Sequence, residues 1–207
     1  MEGLITSALL RQDQLATIII GMRKTEILGD GVVENNRLNK IDFSTVILDD
    51  FFDCLADDDK QWAEAYLSEA KQYLLSFTWC KMIEESYLGA LEPSCFAVFL
   101  FKIRPSTKEI DKWLWVVVGD IPPAYLVCDL APNPISALNS YIFEMRRWVY
   151  AVENGLSTEE LIPVTGPEMI ETAKALASRL DLIQEYTELE HKHQELKESV
   201  QPASSRG

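Results

Sequence analysis

Residues 113–129 read WLWVVVGDIPPAYLVCD, and how this run folds settles the architecture. WLWVVVG and AYLVCD are rich in aromatic and β-branched residues, which suit the pleated, half-buried surface of a strand. Between them, GDIPP carries a glycine that tolerates unusual backbone angles and two prolines that cannot donate to a ladder. It reads as a hairpin loop in which Asp120 can bond turn amides. One segment upstream, CFAVFLFKIR (95–104) has the same strand character and is joined through the polar connection PSTKEIDK. Strands at 95–104, 113–119 and 124–129 are therefore expected to form an antiparallel meander. Asp120 and Asp129 then lie a strand length apart, about 17 Å, too far for a catalytic pair.

Helices flank this meander. From Asp59 to about Leu88, Trp62, Tyr66, Ala70, Tyr73, Phe77, Cys80, Ile83 and Tyr87 recur at steps of three and four, which predicts one buried helical stripe stopped by Gly89. Asn133-Pro134 opens a second helix whose stripe runs from Ile135 to Val152 and ends at Asn154-Gly155. Ser157 with Glu160, and Thr165 with Glu168, have capping-box spacing, predicting a short helical turn and then a long helix from about Pro167. That last helix changes face: Met169, Ala173, Leu176, Leu180 and Ile183 line its first half. Leu182, Tyr186, Leu189, His193, Leu196 and Val200 form a separate heptad-like seam.

The fold class expected is α+β: a three-stranded antiparallel meander packed against long amphipathic helices, with a small N-terminal segment. Val98, Leu100, Leu114, Val116 and Leu126 are the core candidates. The expected organisation is an N-terminal segment at 1–58, an α+β domain at 59–200 and a disordered tail at 201–207. The N-terminal segment reads as a helix followed by a hairpin about Gly29-Asp30-Gly31. Leu28, Val33, Leu38, Phe43 and Leu48 also fall five apart, as in a pentapeptide-repeat coil, a weak match in a chain so rich in apolar residues.

Composition narrows the function. Of 207 residues, 19 are basic and 33 acidic, a net charge of −14, which disfavours nucleic acid and anionic membrane surfaces and points to basic or neutral partners. The opening residues lack a basic, secretory pattern, so the expected location is cytoplasmic. The longest apolar run, residues 95–101, is far short of a membrane span. Cys54, Cys80, Cys95 and Cys128 form no metal or redox spacing and read as buried, reduced thiols.

Half of the acidic excess is local. Residues 49–69 hold Asp49, Asp50, Asp53, Asp57, Asp58, Asp59, Glu64 and Glu69 against Lys60 alone. Helix capping needs one or two of these, so the surplus calls for another explanation. Aromatic residues lie among them, and anchors of that kind ringed by steering charge are typical of binding surfaces. The candidate partner-binding residues are Asp49, Asp50, Phe52, Asp53, Asp57, Asp58, Trp62, Glu64 and Tyr66, with Phe51 beside them. The plainer explanation is that the aromatics are core and the acids only solubilise.

Catalytic signals are absent. The two histidines, His191 and His193, are two apart on a helix and share no face, so they make neither a base nor a joint metal site. Nucleotide and metal fingerprints are missing, and no cofactor is expected. Aspartates 49, 50, 53 and 57 lack the glycine that a cation-binding loop uses for its sharp turn.

The stretch from Trp113 through Val127, the helix ending RRWVYAVENG and the following STEELIPV resemble a motif of uncharacterised bacterial acidic proteins, some of them near toxin and immunity genes. The resemblance spans residues 113–164, is carried by structural motifs and brings no functional residue with it. It implies an immunity protein, small and acidic and without a catalytic site, that neutralises a basic toxin domain by covering it. The expected function is thus an acidic protein-binding module with a basic protein partner. Two alternatives stand beside it: an enzyme or ligand binder using Asp120, Tyr125 or Asp129 in a pocket between sheet and helices, and a homodimer built on the C-terminal helix.

Overall fold

The hairpin at 113–129 lies inside a five-stranded antiparallel sheet, in a computed structural model that describes residues 41–164 and 166–200. In chain order the elements are β1 (Ile47–Leu48), α1 (Asp57–Leu75), β2 (Cys80–Glu92), β3 (Phe96–Pro105), β4 (Trp113–Gly119), β5 (Ala124–Val127), α2 (Pro134–Glu153) and α3 (Ile170–Val200). Strand order follows chain order, β1-β2-β3-β4-β5. The α+β class and the meander of β3, β4 and β5 stand as expected. The three-stranded sheet is corrected to five strands.

The correction has a physical cause in β2. The helix expected to reach Leu88 ends at Leu75, and the chain then enters a 13-residue strand. Register shifts against β3 fall between Cys80 and Met82, Ile83 and Glu85, and Leu88 and Ala90. Each bulge places two residues opposite one, so the inward positions advance by three where a regular strand advances by two. The residues facing α1 are consequently Cys80, Ile83, Ser86, Leu88 and Leu91, opposite Pro105, Ile103, Phe101, Phe99 and Ala97. Steps of three inside a bulged strand imitate a helical stripe.

Both faces of the sheet are covered, so β3 and β4 read as continuous apolar runs. On one face Phe99, Phe101, Leu114, Val116 and Val118 pack under Ala63, Tyr66, Ala70 and Leu74 of α1. On the other, Val98, Leu100, Trp115, Val117 and Leu126 pack under Leu138, Tyr141, Met145 and Trp148 of α2. All five core candidates are buried, divided between the two faces. The Trp115 indole donates to the Ala131 carbonyl at 2.7 Å, and the Tyr141 hydroxyl to the Pro122 carbonyl at 2.8 Å, which fixes α2 over the hairpin.

The helix ends follow their capping residues in part. Asn133 accepts from the Ser136 amide at 2.9 Å, as the N-cap of α2. Ser157 starts only a turn, and α3 begins at Ile170, three residues past Pro167. Glu168 accepts from the Thr158 hydroxyl at 2.6 Å, while Thr165 lies outside the described residues. So do the hairpin about Gly29 to Gly31, the first three of the five-spaced positions and the tail. Residues 41–58 are built into the sheet domain: Ile47 and Leu48 pair with Leu88 and Tyr87, and the Asp42 amide donates to the Pro132 carbonyl at 2.8 Å. Among the described residues no helix is long and apolar enough to cross a membrane.

Candidate partner-binding surface

Two 3-10 turns run through Asp49–Cys54 and lead into α1, whose first turn is Asp57, Asp58 and Asp59. No side chain caps this helix, because Ala56 occupies the cap. The three aspartates therefore act on its amide end through charge alone.

The acids separate into two groups. Asp49 is held by Lys71 at 3.1 Å, and Asp53 is ion-paired with Lys60, which also lies 3.9 Å from Glu64. The Lys60 ammonium keeps the Asp53 carboxyl below its ordinary range, and Asp53 in turn raises Lys60. Asp50, Asp57 and Asp58 are exposed, with no cation in ion-pair range among the described residues. Glu69 differs from them all: burial pushes its carboxyl up, opposed by a hydrogen bond from the Gly119 amide.

The aromatics separate as well. Phe52 and Tyr66 do not face a partner; they are 4% and 7% exposed, in the core between α1 and the sheet. The surface is left with Phe51, 57% exposed, and Trp62, 38% exposed, whose ring lies 5.5 Å from Tyr66. At 100° per residue Asp57, Asp58, Gln61, Glu64 and Ala65 share the outer arc of α1, opposite Ala63, Tyr66, Ala70 and Leu74, and Trp62 stands at the edge of that arc next to Tyr66. Phe52 could not be told from Phe51 in the sequence, because the 3-10 turns break the periodicity that would rank them. The stripe expected on α1 placed Tyr66 correctly inside, whereas Trp62, at its edge, is exposed instead.

Beside this face an open groove of about 570 Å³ runs between α1 and β2, lined by Asp49, Lys71, Leu75, Met82, Glu84 and Tyr87 among others. β1 covers only Tyr87 and Leu88, so among the described residues no strand borders Cys80 to Ser86 on that side. Strand addition there is discouraged, because two of the bulges place Lys81 and Glu84 on the edge.

A second surface was missed. Phe143, Tyr150 and Leu156 are 63%, 62% and 54% exposed and line a groove of about 410 Å³ with Arg146, Arg147 and Leu161. The Arg147 guanidinium lies 6.0 Å from the Phe143 ring and pairs with Glu144 at 2.8 Å. Its signal was present: Phe143 and Tyr150 stand seven apart, off the Ile135 to Val152 stripe.

The residues of the enzyme alternative do not converge. Asp120 pairs with Arg179 of α3 at 2.6 Å instead of bonding turn amides, and Asp129 lies past the far end of β5. Tyr125 packs edge-on against Phe77 and Trp79. Cys80 and Cys95 are pushed above the usual thiol range, chiefly by burial, which keeps them protonated and weakly nucleophilic. Cys54, expected buried, is exposed, and none of the four cysteines is in a disulfide. Among the described residues no group of three or more His, Cys, Asp or Glu side chains is placed to hold a metal.

Compared with protein-family models, curated proteins and solved structures, the chain matches none.

Proposed function

We propose that this chain is an acidic protein-binding module that engages a basic protein through the outer arc of α1 and the turn before it. The observation that carries the reading is the exposure of Trp62 and Phe51 in the same short run as Asp50, Asp57 and Asp58, acids that have no cation in ion-pair range among the described residues. Unpaired carboxylates repel one another, and a cationic surface relieves that repulsion on docking. The aromatic side chains supply the apolar contact that long-range charge alone does not. In its most specific form, following the resemblance at 113–164, the module is an immunity protein and its partner a basic toxin domain, neutralised by being covered.

The test is capture from a lysate of the native cell on immobilised wild type and on the triple variant Asp50→Asn, Asp57→Asn, Asp58→Asn. A basic protein should be retained by wild type, released as salt rises, and retained less by the variant. Coexpression of the module should then suppress whatever toxicity that protein shows. Retention of an acidic protein, or equal retention by both forms, would remove this surface as the interface.

A further inference from the structure

α3 has 31 residues, whereas α2, on which it packs, has 20. Its buried side chains are Ala173, Leu176, Leu180, Ile183 and Thr187, and among the described side chains none beyond Thr187 is buried. The second half thus projects past the core that holds the first. A projection of about 13 residues is marginal as a helix on its own in water. It nevertheless carries apolar residues outside: Leu182, Leu189 and Leu196 are 56%, 54% and 62% exposed. They stand seven apart and define one seam, with His193 four residues after Leu189. Tyr186, four after Leu182, is half-buried, its ring edge-on to Phe96 at 5.2 Å. At 100° per residue the seam lies about 140° round the helix from the buried stripe, so contact along it leaves the packing on α2 intact.

We infer that this seam docks a second copy of the chain as an antiparallel pair of helices. Charge selects the orientation. With the leucines at d and Tyr186 and His193 at a, Glu185 and Lys192 occupy g and Glu190 occupies e. A parallel pair sets Glu185 against the partner's Glu190. An antiparallel pair that layers Leu182 with the partner's His193 sets Glu185 beside the partner's Lys192, twice by symmetry. Sliding that pair by one heptad brings Lys192 against the partner's Lys192 and Glu190 against the partner's Glu190. One orientation and one register satisfy the charges. They also place the two sheet domains at opposite ends of the helix pair, each beside the other's projecting turns. α1 lies across the sheet from α2 and α3, so self-association and capture through α1 use different sides of the molecule.

Sedimentation of the full chain between about 1 and 100 μM reads the result, a range that spans a micromolar dimer. Wild type should pass from 23.5 kDa to twice that mass. Leu189→Glu should remain monomeric with an unchanged near-ultraviolet spectrum, since Leu189 takes no part in the core. Glu185→Lys should raise the dissociation constant by about tenfold, as two attractive pairs become repulsive. Adding Lys192→Glu should restore it, because the reversed pairs attract again. A monomer at every concentration overturns the proposal, and so does a dimer unaffected by Leu189→Glu. A dimer weakened by Glu185→Lys but not rescued by the double reversal overturns the antiparallel register.

Discussion

Glu85 on β2 accepts from the Tyr87 hydroxyl at 2.6 Å and from the Lys102 ammonium at 2.5 Å, across the β2–β3 pair. Lys102 and then Tyr87 hold its carboxyl below the ordinary range, while Glu85 helps push Tyr87 up to about 12. A depressed carboxyl stabilises the fold above its unfolded pKa, and that contribution is lost as pH falls through the folded value. The raised phenol acts the other way, stabilising below its unfolded pKa and failing as pH rises through about 12. Glu85→Gln should therefore lower the urea midpoint at neutral pH, with the gap to wild type closing below pH ~4. A gap of unchanged size from neutral into acid pH would place the effect in packing instead of charge. Gly119 offers a sharper residue-scale test. Its φ is +133°, and a Cβ there would stand 2.3 Å from the Cys95 carbonyl oxygen and 2.7 Å from the Phe96 Cα, both backbone atoms. Gly119→Ala should cost about 3 kcal/mol or more in urea unfolding.

Element by element, legibility followed regularity. β3, β4 and β5 were readable because their strand-like runs end at turn residues, and α2 because Asn133 and an unbroken stripe mark its limits. β2 was not readable, since its three bulges convert a period of two into steps of three that extend the true stripe of α1. The third bulge serves the packing. Gly89 falls there, under the start of α2, where a Cβ would meet the Pro134 side chain at 2.8 Å and the Trp115 ring at 3.0 Å. Gly89→Ala should destabilise by about 1–3 kcal/mol, read by urea unfolding, because side chains can yield where the backbone at Gly119 cannot. Equal costs at the two glycines would contradict that distinction. Of the candidate surface, the acids were legible from composition alone. Which aromatics faced outward was not, because burial in Asp49–Cys54 is set by the path of the chain under α1 and not by any repeat.

For the whole molecule, a net charge of −14 is unevenly spent: ion pairs tie Asp49, Asp53, Glu84, Glu85, Asp120 and Asp181 to neighbouring cations. Asp50, Asp57 and Asp58 have no such partner among the described residues and stand beside exposed aromatics. Unpaired surface acids act on encounter, speeding the approach of a cation over roughly a Debye length, about 10 Å at 0.1 M salt. The direct measurement is the association rate of the captured basic partner with wild type and with the Asp50, Asp57, Asp58 to asparagine variant, at low and at high salt. The triple variant should stay folded with a slightly lower urea midpoint, since Asp57 and Asp58 also act on the amide end of α1. It should associate about tenfold more slowly at low salt and lose most of its salt dependence. Equal rates with equal salt slopes would contradict the account, leaving this face of α1 as a solvated surface and not an interface.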